Sequence, residues 1–333
     1  MTRLRRVSPS RPGWTRQRQG RGFRYLDESG RPLAVDDVAR CRALTIPPAW
    51  REVWICPLAN GHLQAVGTDD AGRRQYLYHP AWRERRDKAK FERVLDVAAR
   101  LPRARTVVRD HLALPGMPRE RALGAAFRLL DLGFFRIGGE AYAEDNGSYG
   151  LATIEKQHVH IDNNSIVFEY PAKWGQERLV AVADDAVRTA VTELHRRRGG
   201  GPQLLAYRDG RRWRDISSSD INAYLKTIVG GEVSAKDFRT WHGTVLAAVA
   251  LAAADGPSSQ RGRTRAVRTA MTEVAEYLGN TPRIARGSYV DPRVVDLFES
   301  GTTIASTLRR TTMSSDADRE RVERAVLRML RAR

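Results

Sequence analysis

The 333-residue chain carries 57 lysines and arginines against 39 aspartates and glutamates, a formal net charge of +18, and 41% of its residues are hydrophobic. That apolar share supports a folded core and excludes a wholly disordered chain, while the charge points to a polyanionic partner, nucleic acid first. No apolar run approaches the roughly 20 residues that span a bilayer. The Arg-rich start lacks a secretory leader, and Cys41 and Cys56 lack metal-type spacing and read as reduced thiols of a cytoplasmic protein.

In chain order, residues 1–20 hold Arg3, Arg5, Arg6, Arg11, Arg16 and Arg18 with little apolar material and read as a flexible basic arm. From Phe23 short strand patterns alternate with the turn signals Ser29-Gly30, Asn60-Gly61 and Asp69-Asp70-Ala71-Gly72. Residues 21–85 therefore form a small β-rich domain, interrupted by a helix near Val35–Leu44. Ala81–Asp110 reads as helix, and Leu123, Ala126, Phe127 and Leu130 share a helical face. Val159 and Ile161 alternate before Asp162-Asn163-Asn164-Ser165, and Ile166, Phe168 and Tyr170 alternate after it, which makes a hairpin.

Beyond Ala181 helices dominate. One starts at Ser217-Ser218-Ser219-Asp220 with the stripe Ile221, Tyr224, Leu225, Ile228. An Ala-rich helix runs from about Lys236 to Ala254 and is stopped by Gly256-Pro257. A third carries Val267, Met271, Val274 and Leu278 and ends at Gly279. The last twenty residues, with Val322, Val326, Met329 and Leu330 between charges, form an amphipathic helix to which no function is assigned. The expected fold is α+β. The small β-rich domain precedes a larger, mainly helical domain over 86–312 with one β-hairpin, then a helical tail over 313–333. A hinge is expected near 80–90.

Three segments of the larger domain carry the chemistry: Gly133-Phe134-Phe135-Arg136-Ile137-Gly138-Gly139, Lys236-Asp237-Phe238-Arg239-Thr240-Trp241-His242-Gly243-Thr244, and Leu278-Gly279-Asn280-Thr281-Pro282 with Tyr289 downstream. Their order and spacing resemble the arginine, Lys-x-x-Arg, His-or-Asn and tyrosine boxes of type IB topoisomerases, which share a catalytic domain with tyrosine recombinases. Gly150-Leu151 to His158-Val159 resembles the stretch before the family's catalytic hairpin. Phe168-Glu169-Tyr170-Pro171-Ala172-Lys173 occupies the place of its hairpin lysine. Gly72-Arg73-Arg74-Gln75-Tyr76-Leu77-Tyr78 resembles a DNA-contacting strand of the poxvirus-like branch. The resemblance covers residues 20–300 in order.

It implies the DNA breaking-rejoining enzyme fold, with Arg136, Lys173, Arg239, Asn280 and Tyr289 as catalytic residues and Lys236 and His242 close by. Arg73, Arg74, Gln75, Tyr76 and Tyr78 would contact DNA. The residue types suit transesterification at a phosphodiester. Guanidinium forks hold non-bridging oxygens, a phenol attacks, and a lysine protonates the leaving oxygen. His242 lies three residues after Arg239 on the same predicted helix, which brings its side chain within reach of the site. At Asn280 viral members carry histidine; an amide does not titrate, so no proton-transfer role goes to it.

The implied partner is double-stranded DNA, bound by a nucleoid-associated monomer that needs no cofactor, nucleotide or metal. A site-specific tyrosine recombinase is the alternative enzyme. It would start with a helical domain, assemble as a tetramer and carry histidine rather than lysine at 236. A non-enzymatic basic DNA-binding protein explains the charge but not the five residues together. His62, His111, His158, His160 and His195 show no metal-ligand spacing.

Overall fold

The structure, a computed structural model, describes residues 3–140, 143, 147–254, 259–311 and 315–332. The Gly256-Pro257 helix stop lies outside the described residues. The chain divides into two compact units, Met1–Lys90 and Phe91–Arg333.

The first unit is a five-stranded antiparallel sheet in the order β2-β1-β3-β4-β5. Its strands are β1 (Trp14–Gln19), β2 (Gly22–Leu26), β3 (Arg51–Ile55), β4 (Leu63–Thr68) and β5 (Arg74–Tyr78), with helix α1 (Val35–Ala43) inserted after β2. Part of the expected flexible arm is therefore ordered sheet: Trp14–Gln19 pairs with β2 on one side and β3 on the other. Composition concealed this because Arg16 is a buried arginine. Its guanidinium donates to Ile46 O, Pro47 O and Trp50 O at 2.9 Å each and stacks 4.1 Å from the Phe23 ring. A small core of Tyr25, Cys41, Ile46, Val53, Ile55 and Ala65 fills the unit.

The turns after β2 and β4 repeat one device. Asp27 Oδ1 accepts from Ser29 N and Arg31 N, and Asp69 Oδ1 accepts from Ala71 N and Arg73 N. Gly30 and Gly72 close these Asp-x-x-Gly-Arg turns at φ 78° and 75°, where a side chain would be strained.

Helix α2 (Pro80–Leu112) occupies the expected hinge region and runs through Lys90/Phe91. In the second unit α3 (Arg119–Gly133) is buried on nearly every face. A three-stranded sheet follows, β6 (Val159–Ile161), β7 (Ile166–Ala172) and β8 (Gln176–Val182), in the order β6-β7-β8. The first hairpin turns at 162–165 with Ile161 opposite Ile166, as its alternation predicts. The β8 strand adds a second hairpin, with Lys173 in its turn, to the single hairpin expected.

Helix α4 (Asp185–Arg196) is capped by Asp184, whose side chain accepts from Val187 N. A further hairpin, β9 (Ala206–Asp209) and β10 (Arg212–Asp215), interrupts the helical half and was likewise not expected. Helices α5 (Ser218–Val229), α6 (Ala235–Ala253), α7 (Gln260–Leu278), α8 (Pro282–Ser288), α9 (Pro292–Glu299), α10 (Ala305–Leu308) and α11 (Asp316–Arg331) complete the unit. Ser217 and Ser234 start α5 and α6 as capping boxes with Asp220 and Asp237. One contiguous core, including Phe127, Phe168, Phe238 and Trp241, spans α2 to α11.

The α11 helix is not a loose tail. Val322, Val326 and Leu330 are fully buried in the main core. Arg105 of α2 bonds Asp131 of α3 (2.8 and 2.9 Å) and Glu323 of α11 (2.7 and 2.9 Å). Arg319 of α11 reaches both the carboxylate and the carbonyl of Asp131. Burial alone would raise the Asp131 pKa, but Arg105 and then Arg319 hold it well below the usual carboxylate range.

Candidate active site

Arg136, Arg239, Asn280 and Tyr289 come together around the C-terminus of α7. The left-handed Gly279 (φ 58°) ends that helix, and its N–H bonds Glu276 O while Asn280 N returns to Ala275 O. The carbonyls at this end become the anchor for both arginines. Arg136 Nη2 donates to Gly279 O at 2.8 Å and to Asn280 Oδ1 at 2.9 Å. Arg239 Nη2 donates to Leu278 O at 2.7 Å, and its Nη1 donates to Phe134 O.

Phe134 is the C-cap of α3 and sits in the left-handed region at φ 56°. A non-glycine residue there costs on the order of 1–3 kcal/mol unless its surroundings fix it. They do: its ring packs edge-on against His242 (5.2 Å) and tilted against Tyr277 (5.8 Å). This turn aims the Phe134 carbonyl at Arg239 and sends the chain on to Arg136. Beyond it, Leu151 N and Ala152 N donate to Arg136 O and Ile137 O at 2.8 Å each. Gly150 lies so close to Gly138 that a Cβ on it would sit 2.5 Å from Gly138 N. The segment from Gly150 thus fixes the backbone of Arg136.

Arg239 is 4% exposed. Burial pulls its guanidinium down to about 10, with Tyr289 opposing and Arg136 adding to the shift, which leaves it charged at neutral pH. Its Nε is buried and has no hydrogen-bond partner among the described residues, a donor left for a ligand. The guanidinium carbon lies 5.2 Å from the centroid of the Tyr289 ring.

Tyr289 follows α8, whose N-terminus is set by Thr281, accepting from Ile284 N, and by Pro282 in the first turn. Its carbonyl accepts from Thr244 Oγ1 (3.3 Å), which also receives Asp291 N (3.1 Å). Gly243 allows the approach: a Cβ there would lie 2.8 Å from Tyr289 O and 3.2 Å from Tyr289 Cβ. Helix α6 therefore places Arg239 and the backbone of Tyr289 together.

Lys173 sits in the Lys173–Gly175 turn that joins β7 to β8, half-buried. Lys236 is exposed on the first turn of α6. His242 lies beside the cluster but behind Phe134. Its ring is buried against Phe134 and Phe238, with Nε2 3.9 Å from Asp131 Oδ1. Burial, and then Arg319, push its pKa down to about 3 despite Asp131. A neutral imidazole behind Phe134 supports the site and does not front it.

Two residues near the cluster escaped the sequence reading. Tyr170 is buried, and its hydroxyl pKa is raised by burial against the opposing fields of Arg178, Arg239 and Arg136. Arg178 of β8 donates to Glu276 O (3.1 Å) and Tyr277 O (2.7 Å). Alternation along β7 marked Tyr170 as a core position only, and nothing in the sequence distinguished Arg178 from other arginines.

In the first unit Arg73, Arg74, Gln75, Tyr76 and Tyr78 occupy or adjoin the edge strand β5. Tyr76 and Tyr78 share a face and stack with centroids 6.3 Å apart and planes 17° apart. Tyr76 is 48% exposed. Asp69 holds Arg73 Nε at 3.0 Å and Gln75 Nε2 at 2.9 Å.

The sequence pattern described as the catalytic core of eukaryotic DNA topoisomerase I matches residues 79–300, which include all four clustered residues and Lys173. That of the N-terminal domain of bacterial DNA topoisomerase IB matches residues 22–69. The chain is 28% identical over 298 residues to DNA topoisomerase 1B of Acanthamoeba polyphaga mimivirus, covering 86% of this chain and 88% of that protein. It is 30% identical over 112 residues to DNA topoisomerase 1B of Vaccinia virus (strain Copenhagen), covering 32% of this chain and 34% of that protein.

Proposed function

The chain belongs to the type IB DNA topoisomerase family, an isomerase class, and on that premise we propose that it relaxes supercoiled duplex DNA through a 3′-phosphotyrosine intermediate, without ATP or metal. The observation that carries the proposal is the convergence of Arg136, Arg239 and Asn280 on the end of α7, with Arg239 beside the Tyr289 ring.

In the proposed reaction the Tyr289 phenol loses its proton to solvent and its oxygen attacks the scissile phosphorus. The bond to the 5′ oxygen breaks, and the Lys173 ammonium gives that oxygen a proton. Arg136 and Arg239 balance charge that grows on the non-bridging oxygens. Each such preorganised donor contributes about 3–4 kcal/mol in comparable sites. Guanidinium groups thus fill the place a metal would take. Asn280, its Oδ1 held by Arg136, offers its amide N–H to the same oxygens. The phosphotyrosine bond keeps the energy of the phosphodiester, so resealing by the 5′ hydroxyl requires no nucleotide.

On this reading the β5 strand contributes Arg73, Arg74, Gln75, Tyr76 and Tyr78 to DNA contact. The proposal takes the enzyme to act as a nucleoid-associated monomer.

Incubation with supercoiled plasmid in EDTA without ATP tests the proposal. Relaxation by the native protein, and none by Tyr289→Phe, is expected. DNA binding without relaxation by either protein would overturn it and favour a recombinase awaiting its site or a plain DNA binder.

A further inference from the structure

Arg178 joins two parts of the site that otherwise come from separate stretches of chain. Its guanidinium caps the last turn of α7 through Glu276 O and Tyr277 O, the task that a basic side chain performs at a helix C-terminus. It also stands directly opposite the buried Tyr170 in the β7–β8 register, where its charge opposes the rise of the Tyr170 hydroxyl pKa. Gly279 packs directly on it, since a Cβ at that position would lie 2.8 Å from Arg178 Nη1. The same few residues, Leu278 to Asn280, anchor Arg239 and Arg136. On its other side Arg178 belongs to β8, a short step from the Lys173–Gly175 turn.

We propose that Arg178 is a positioning residue that sets the Lys173 hairpin against the arginine-lined phosphate site. The inference rests on the general-acid reading of Lys173 above.

The seating of the hairpin against α7, not the helix end itself, is what depends on this contact. The end of α7 is held independently by Arg136, by Arg239 and by the return of Asn280 N to Ala275 O. At the tip of the hairpin, β7 is tied by Tyr149 N to Pro171 O (2.8 Å) and by Ser148 Oγ to Ala172 O (3.4 Å). Among the described residues the outer strand β8 has its hydrogen bonds to α7 through Arg178 alone. Gln176 and Glu177 between it and the turn are exposed. Because β8 pairs with β7 from Ile166/Val182 to Ala172/Gln176, loss of the guanidinium leaves the ladder intact and releases the β7–β8 hairpin, with Lys173 at its turn, from the end of α7 while leaving the phosphate anchors in place.

A leaving-group substitution separates these effects. A 5′-bridging sulfur departs as a thiolate and needs no general acid, whereas a 5′ oxygen does. Single-turnover cleavage is measured on duplexes carrying either atom, with native protein, Lys173→Ala, Arg178→Ala and Arg178→Lys. A misplacement of about 1 Å slows a positioned step on the order of 10²-fold. Arg178→Ala is expected to show a loss of that size on the oxygen substrate and to recover to within a few-fold of native on sulfur, in parallel with Lys173→Ala. Arg178→Lys, which keeps the charge and one donor, falls between and reads the same comparison should alanine unfold the protein. Equal losses on both substrates, or no loss on oxygen, overturn the inference. If Lys173→Ala itself is not rescued by sulfur, the general-acid reading fails and the inference with it. Rescue of Lys173→Ala without rescue of Arg178→Ala overturns the inference alone.

Discussion

Arg239 stands with its guanidinium carbon 5.2 Å from the Tyr289 ring, while its two terminal nitrogens are tied to the carbonyls of Phe134 and Leu278. A planar fork can satisfy both carbonyls and still present Nε; an ammonium cannot. Arg239→Lys is expected to slow formation of the covalent adduct by about 10²–10³-fold. Denaturing gels after incubation with nicked duplex measure it, and near-native rates would remove Arg239 from the reacting site.

Gly243 predicts a loss of activity without a loss of fold. In a helix, alanine is favoured over glycine by roughly 1 kcal/mol. Here the added methyl would press on the Tyr289 carbonyl at 2.8 Å, so the backbone carrying the phenol must shift. Gly243→Ala is expected to melt within a few degrees of native and to cleave on the order of 10²-fold more slowly. Native cleavage by this variant would show that the contact relaxes elsewhere.

Much of the site was legible because its boxes are short and ordered in sequence. Arg136, Arg239, Asn280 and Tyr289 do converge in space. His242 shows the limit of that reading: helical spacing put it within reach of the site, but its ring is buried against Phe134 and Phe238, which spacing alone does not reveal. Composition misled at β1, where Arg16 looked like a solvated charge and is a buried donor to three carbonyls. The β9–β10 hairpin had a turn signal in Asp209-Gly210, yet its strands are charged enough to pass for loop. Arg178 could not be found in sequence, since its partners are main-chain oxygens of a distant helix.

The buried His242 gives the folded protein a pH dependence. Its folded pKa, about 3, lies below the unfolded value of about 6.5. Both states are neutral at pH 7; as pH falls through 6.5 the unfolded chain takes up a proton that the folded chain refuses. Stability is therefore lost on acidification between about pH 6.5 and 3, by up to about 1.4 kcal/mol per pH unit. Urea midpoints taken from pH 7 to 4 should fall more steeply for the native protein than for His242→Gln. Parallel slopes would mean that the imidazole is protonated in the fold.

The Asp131 network predicts that α11 holds the second unit together. Glu323→Ala leaves Arg105 with one carboxylate fewer in a buried setting, and Arg319→Ala strips Asp131 of one of its cations. Breaking one side of a buried pair costs about 3–5 kcal/mol. Chemical denaturation should register a loss of that order for either change, and a loss below about 1 kcal/mol would place these charges with ordinary surface pairs.

The same network also has a consequence for the order of synthesis. Asp131 stands at the end of the helix whose cap, Phe134, supports Arg239 and leads into Arg136, yet part of what braces it comes from Arg319 and Glu323, made after Tyr289. A chain emerging from the ribosome thus holds Arg136, Arg239 and Tyr289 before the brace behind them exists. The packing behind Phe134 is therefore completed last, once the segment from Asp316 has folded back onto Asp131 and Arg105.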